Sequence, residues 1–309
     1  MNNNHPILVT GAHRSGTTWV GKMLSINNQI AYISEPLNVL HRSGVFKQTV
    51  EHWYTYICGQ NENLYLPAFR NTLEVRYHLG AEIKSIRSGK DFLRMCRDWV
   101  NFSTAKLFDK RPLLKDPFAV FSIEWFAHRL DCQTIVVIRH PAAFTSSLKR
   151  LNWRFDFTDL LSQPLLMQDW LEPYRKEMIT VSDSPEDIIL QSSLLWRMIY
   201  NVVTELQIRT QNINVVRHED LSLDPIEGFR NLYQSLDINL TKSASEKIVS
   251  SSSPVNPSEL SPSSVHRTKL NSRANIDNWK HRLTKEEIKR IQQLTADVSI
   301  TYYSEQDWV

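Results

Sequence analysis

Five short apolar runs punctuate the chain, and each gives way to polar or charged residues. They are Pro6-Ile7-Leu8-Val9-Thr10, Ile30-Ala31-Tyr32-Ile33, Pro112-Leu113-Leu114-Lys115, Gln133-Thr134-Ile135-Val136-Val137-Ile138 and Ile213-Asn214-Val215-Val216-Arg217. Runs of this length, rich in β-branched residues, predict strands, the fourth being the clearest buried parallel strand. Between them the spacing turns helical: Val20-Gly21-Lys22-Met23-Leu24, a helix from about Ala142, and one long amphipathic helix over Ile188–Gln211. Residues 38–110 are expected to be mostly helical, and 151–185 to hold a short helix or two with long loops. Thr284-Lys285-Glu286-Glu287 opens a last helix as a capping box, and Tyr302, Tyr303 and Trp308 are expected to dock the tail. Strand and helix thus alternate, which predicts an α/β fold with a mostly parallel sheet of about five strands and helices on both faces.

The first run leads into Gly11-Ala12-His13-Arg14-Ser15-Gly16-Thr17-Thr18-Trp19. A strand, a glycine-bounded loop and a helix start form the geometry in which backbone N–H groups wrap an anion. The spacing is G-x-x-x-x-G followed by two hydroxyl residues, the P-loop pattern with Thr17 in place of its lysine. The positive charge stands inside the loop instead, at Arg14. The predicted architecture is therefore a P-loop-type three-layer sandwich.

Composition narrows the rest. At 309 residues there is ample core for one large domain or two smaller ones. We expect a single domain over 1–309. A net charge of +3 lacks the excess of a nucleic-acid binder. Cys58, Cys96 and Cys132 are odd in number and form no C-x-x-C pair, so neither a disulfide framework nor structural zinc is expected. No apolar run reaches membrane-spanning length, and the first is already a strand, so a cytoplasmic protein without signal peptide or transmembrane segment is expected.

The Arg14-Ser15-Gly16-Thr17-Thr18-Trp19 string resembles the 5′-phosphosulfate-binding loop of sulfotransferases that use PAPS (3′-phosphoadenosine 5′-phosphosulfate). Arg in place of Lys is common in the bacterial and glycan-type branches. Three further segments carry the resemblance. Glu35-Pro36-Leu37 is similar to a glycan-type segment whose Glu is the proposed catalytic base, and Lys115-Asp116-Pro117 to a segment of the same branches. Arg139, at the end of the fourth strand, and Ser147, eight positions on, have the spacing that holds the 3′-phosphate in this family. That pairing has plain chemistry, since a dianion wants a forked guanidinium and a helix hydroxyl converging on it.

The resemblance implies a sulfotransferase that moves the sulfuryl group of PAPS to a hydroxyl, or less readily an amine, of a small-molecule, lipid or carbohydrate acceptor, releasing PAP and needing no metal. Glu35, Arg14 and Lys115 would serve catalysis, Lys115 by stabilising the bridging oxygen of the cleaved phosphosulfate or by helping to position Glu35. Arg14, Ser15, Gly16, Thr17, Thr18, Trp19, Arg139, Ser147, His218 and Arg273 would bind the cofactor. Two of these depart from the family pattern: His218 stands where a Tyr usually lies near the adenine, and Ser272-Arg273-Ala274 replaces an R-K-G segment, keeping only Arg273. Residues 38–110 and 151–185 would be insertions capping the acceptor site. The Ser/Pro-rich stretch Val249–Ser264, within a segment spanning 249–275, would be a mobile loop closing over the cofactor.

Bland readings stand beside these. Glu35 also fits a capping acid or salt-bridge partner, Lys115 a partner of Asp116 or of another acid at the strand end, and Arg139 a surface arginine. The aromatics of 151–185 fit plain packing. His140 and His41 are the alternative bases. A P-loop kinase with a displaced cation, or a catalytically silent nucleotide-binding module, are the alternative functions.

Overall fold

A computed structural model describes residues 5–184, 186–259 and 269–309. Five strands form one sheet: β1 (Ile7–Thr10), β2 (Ile30–Ser34), β3 (Arg111–Lys115), β4 (Gln133–Ile138) and β5 (Ile213–Arg217). Their order is β2-β3-β1-β4-β5 and every pairing is parallel. The apolar runs alternate between two cores, as a period of two demands of a strand covered on both faces. Ile7, Val9, Leu113, Ile135 and Val137 face one core; Leu8, Leu114, Val136 and Ile138 face the other.

The first core is closed by α1 (Thr17–Leu24) and by three later helices, α11 (His218–Leu223), α12 (Pro225–Ser235) and α13 (Lys242–Ser252). The second is closed by α5 (Ile123–Leu130), α6 (Pro141–Leu151) and the long α10 (Ile188–Arg209). The result is the expected three-layer sandwich. Helices α14 (Ser272–Ile276), α15 (Asn278–Arg282) and α16 (Lys285–Ser299) complete the chain; α16 begins at the Thr284/Glu287 capping box. The tail docks: Tyr303 is buried and Trp308 packs on His140 at 4.3 Å between ring centroids.

Three stretches differ from expectation. Helices α2 (Glu62–Leu73), α3 (Leu79–Ser85) and α4 (Gly89–Leu107) fill only the later part of 38–110. Residues 38–61 are irregular, because side chains satisfy the backbone there: Glu82 accepts the Gly44 N–H (2.7 Å) and ion-pairs with Arg42, which also grips Asp98 (2.5 Å). Residues 158–182 are nearly continuous helix. Short α7 (Thr158–Leu161) and α8 (Pro164–Leu166), a π turn over Met167–Leu171 and a 3-10 turn over Glu172–Tyr174 lead into α9 (Arg175–Ser182). Pro164 and Pro173 sit within the first turns of their segments, where the missing N–H costs nothing, so they start helical turns instead of marking loops. Finally, α13 runs through Ser250 and Ser251 to Ser252, so the Ser/Pro stretch begins as helix. Residues 260–268 of that stretch lie outside the described residues. No described helix is long and apolar enough to cross a membrane.

The order of strands fixes where a ligand can enter. Connections from β1 go first to the β2–β3 side and later to the β4–β5 side, so the crevice opens at the carboxyl end of β1.

Candidate active site

Five loops leave the carboxyl ends of the five strands, and they bring with them Arg14, Glu35, Lys115, Arg139 and His218. The loop after β1 is shaped by backbone that only glycine adopts freely. Gly11 and Gly16 have φ of 138° and 107°. A Cβ on Gly16 would lie 2.4 Å from His218 Cδ2, and one on Gly11 would lie 2.3 Å from the Val137 carbonyl oxygen. Tyr200 anchors the loop from below: its hydroxyl accepts the Ala12 N–H (3.2 Å) and donates to the Val137 carbonyl (3.0 Å). Thr17 and Thr18 start α1, so their amides have no acceptor within the helix and carry the positive end of its dipole. Gly16→Ala combines a strained φ with the His218 collision. It is expected to abolish anion binding at this loop in a calorimetric titration with PAP, with the helical circular dichroism retained.

Trp19 and His218 sit behind the loop. The Trp19 indole donates to Ser251 (3.0 Å) and stands edge-on to Phe229 and His218. His218 is buried, which with the nearby Arg139 charge pushes its imidazole down to about 3.

Beside the loop, guanidinium groups crowd together. Arg139 follows β4, its carbonyl held by the Trp196 indole N–H (2.8 Å) and its Nη1 donating to the Arg14 carbonyl (3.1 Å). Its Nε is buried with no hydrogen-bond partner among the described residues. Arg14 adopts a left-handed backbone (φ 69°), donates from Nε to Ser147 Oγ (3.2 Å) and lies 5.5 Å from the Trp153 ring. Burial, then the charges of Arg139 and Arg150, push Arg14 down to about 10. Arg139 is lowered by burial first, with Arg282 and Arg150 adding to it and Glu219 opposing. Glu219 is itself buried, accepting the His140 N–H (3.0 Å) and the Tyr303 hydroxyl (3.1 Å). Buried like charges with an orphan donor among them describe a site shaped for an anion.

On the other side of the crevice, Glu35 also has a left-handed backbone (φ 52°), fixed by its N–H bonding the Lys115 carbonyl (2.8 Å). Its carboxylate ion-pairs with Lys115 Nζ and accepts from Asn38 Nδ2 (2.7 Å). The Lys115 side chain is 3% exposed and that of Glu35 27%, so the carboxylate is the member open to the crevice. Asp116 does not take the lysine. Its two oxygens accept the Leu37 and Phe118 amides (2.6 and 3.0 Å), and burial pushes it up to about 7.

The remaining sequence candidates lie elsewhere. His140 is stacked on Trp279 (5.1 Å) and enclosed by Tyr303 and Trp308; burial drives it down to about 3. His41 pairs through Nδ1 with the Asn38 carbonyl (2.8 Å) and packs on Phe46. Arg273 spends its guanidinium on the Leu223 carbonyl (2.8 and 3.0 Å), and the C-terminal arginine whose charge is felt at Arg139 is Arg282. The residue that sequence reasoning passed over is His13. Its Nδ1 lies 2.6 Å from the Tyr54 hydroxyl, amid Phe118, Phe144 and Trp153. Its place beside Arg14 in the glycine loop was the available signal.

Fold and site together define a parallel α/β protein with a glycine loop at a helix start, an arginine cluster beside it, and an ion pair between buried Lys115 and part-exposed Glu35 at one sheet edge. The sequence matches the family described as "Sulfotransferase domain" over residues 4–299, and the chain belongs to that family. No curated protein matches it. Among solved structures it is similar to the "Sulfotransferase Domain from the Curacin Biosynthetic Pathway", at 14% identity and TM-score 0.48, over 97% of this chain and 98% of that one. It is also similar to the "Sulfotransferase Domain from the Synechococcus PCC 7002 Olefin Synthase" (15%, TM-score 0.45, 97% and 96%). A third is mouse sulfotransferase SULT7A1 complexed with PAP (13%, TM-score 0.46, 98% and 86%).

Proposed function

We propose that the chain is a PAPS-dependent sulfotransferase acting on a hydroxyl of a small-molecule, lipid or carbohydrate acceptor in the cytoplasm. The observation that carries this reading is the pairing of two anion grips, the Gly11–Thr18 loop and the Arg139/Ser147 site, joined by Arg14. A nucleotide with phosphates at both 3′ and 5′ positions fits such a pair. The orphaned Arg139 Nε and the Gly16 cradle favour the same fit.

In this reading Arg139 and Ser147 hold the 3′-phosphate, while the loop amides, Thr17, Thr18 and Arg14 hold the 5′ end. When bound, PAPS supplies a sulfuryl group whose S–O bond to the 5′-phosphate breaks as the acceptor oxygen bonds sulfur, the electron pair leaving on the phosphate. The acceptor's proton goes to the exposed carboxylate of Glu35. Lys115, ion-paired with that carboxylate, orients it toward the crevice. As in phosphoryl transfer, a loose in-line transition state leaves the protein mainly positioning and charge stabilisation to supply. The segments 38–110 and 151–185 wall the acceptor side, with aromatic rings such as Trp53 and Trp153 offering it an apolar surface.

Calorimetric titration with PAP, in EDTA and with ATP and GTP as controls, tests the donor. Micromolar PAP binding followed by transfer from labelled PAPS is the expected result. A preference for ATP, or dependence on metal, would overturn it.

A further inference from the structure

We propose that His13 is a further catalytic residue: its Nε2–H, held in that tautomer by Tyr54, donates a hydrogen bond to an oxygen of the sulfuryl group during transfer. This rests on the donor assignment above.

The tautomer follows from counting hydrogens. The Tyr54 hydroxyl has one hydrogen and already accepts the His13 backbone N–H (3.1 Å). Its remaining close partner is His13 Nδ1 at 2.6 Å. The hydroxyl therefore donates to Nδ1, and the imidazole hydrogen resides on Nε2. Tyr54 is a durable donor, since burial raises its hydroxyl far above the ordinary range. The imidazole is correspondingly neutral: burial, then the Arg14 charge, hold it down to about 4. Nε2 makes no hydrogen bond of its own among the described residues, and His13 is only half-buried.

The structure maintains this arrangement at some cost. Tyr54 is fully buried with φ 58°, a backbone that bulky residues avoid. Phe118, Phe121 and Phe155 pack around its ring at 5.3–5.8 Å, and Gln163 bonds the backbone on either side of Thr55. Strain held in place by so much packing points to a required position for the hydroxyl. Position in the crevice says what the imidazole is for. It adjoins Arg14 in the loop and shares the Trp153 ring with it, at 6.4 and 5.5 Å to the centroid, so it stands beside the 5′ grip. Transfer runs from that grip toward Glu35. A neutral N–H there can stabilise charge on the sulfuryl oxygens without competing for the proton. In this step the Nε2 hydrogen stays on nitrogen, the acceptor's proton goes to Glu35, and the electron pair of the broken S–O bond goes to the 5′-phosphate.

A double-mutant cycle with His13→Ala and Tyr54→Phe tests this, read by single-turnover transfer, PAP calorimetry and nitrogen-15 NMR of the imidazole. Expected are a loss of about 10²-fold in the transfer rate for His13→Ala, and PAP affinity within a few-fold of wild type, because PAP lacks the sulfuryl group. Tyr54→Phe should slow transfer in the wild-type background and add nothing to His13→Ala. His13→Gln, which keeps an N–H donor, should recover part of the rate. NMR should show protonated Nε2 and bare Nδ1. An Nδ1–H tautomer, additive losses, or a raised acceptor KM with an intact rate would overturn the proposal. So would parallel loss of rate and PAP affinity, which marks a merely structural role. If wild-type protein fails to bind PAP, the donor assignment falls first and this inference with it.

Discussion

Glu35→Gln is expected to lower turnover by about 10²–10⁴-fold, the usual worth of a positioned general base, while leaving PAP affinity within a few-fold of wild type. Glutamine keeps an oxygen for Lys115 and an amide the size of the carboxylate, but it cannot take a proton at neutral pH. Glu35→Ala is a different experiment. It strands the Lys115 ammonium, whose side chain is 3% exposed, without the carboxylate that now compensates it. Breaking a buried pair from one side costs about 3–5 kcal/mol, and the partial exposure of Glu35 sets the lower end of that range as the expectation. The alanine protein should therefore melt earlier as well as turn over poorly, and the glutamine protein should only turn over poorly. Rate assays beside thermal denaturation separate the two. Near-normal turnover in the glutamine variant would remove Glu35 from the role of base.

The second large effect is at Arg139. Arg139→Ala is expected to weaken PAP binding by about 10²–10⁴-fold, since charge-assisted hydrogen bonds contribute roughly 1.5–3 kcal/mol each and a guanidinium offers two to a phosphate. Adenosine 5′-phosphate, which lacks the 3′-phosphate, should lose far less, so the preference for PAP should collapse. Stability should move the other way. In the unliganded protein Arg139 is a buried cation lowered first by burial and further by Arg282 and Arg150. Its folded-state pKa lies below the unfolded value, so carrying the proton at neutral pH works against folding, and removing the side chain relieves that cost. The unliganded variant is expected to melt at or above the wild-type temperature, while the rise in melting temperature produced by PAP disappears. An unchanged PAP titration would mean the 3′-phosphate sits elsewhere.

Much of this architecture was legible because parallel strands buried on both faces are nearly continuous apolar runs. Gln133–Ile138 is a strand over the predicted residues, and the turn from Ile138 into Arg139 could be read as a strand end delivering a cation. The loop of Gly11–Gly16 was legible because its glycines are required by backbone geometry. Pairings across long sequence separations were legible only as alternatives. Lys115 could be read as positioning Glu35 or as pairing with adjacent Asp116; it pairs with Glu35, 80 positions away, because Asp116 is taken by two amides. His13 gained meaning only through Tyr54, 41 residues on, in a segment whose irregular backbone has no periodicity to read. Residues 38–61 defeated the helical expectation for the same reason. Their conformation is set by Arg42, Glu82 and Asp98 acting across the cap.

The docking of residues 303–308 bears on the order in which the molecule folds. Tyr303 bonds Glu219, Glu219 bonds the amide of His140 beside Arg139, and Trp308 closes over the His140 ring. Arg217, at the end of β5, is likewise secured by Asp307 (2.5 Å). The glycine loop is local in sequence, but the wall behind Arg139 needs β4, α11 and residues 303–308 to meet across long loops. Closing such loops is slow, so this wall is expected to be among the last parts of the fold to form.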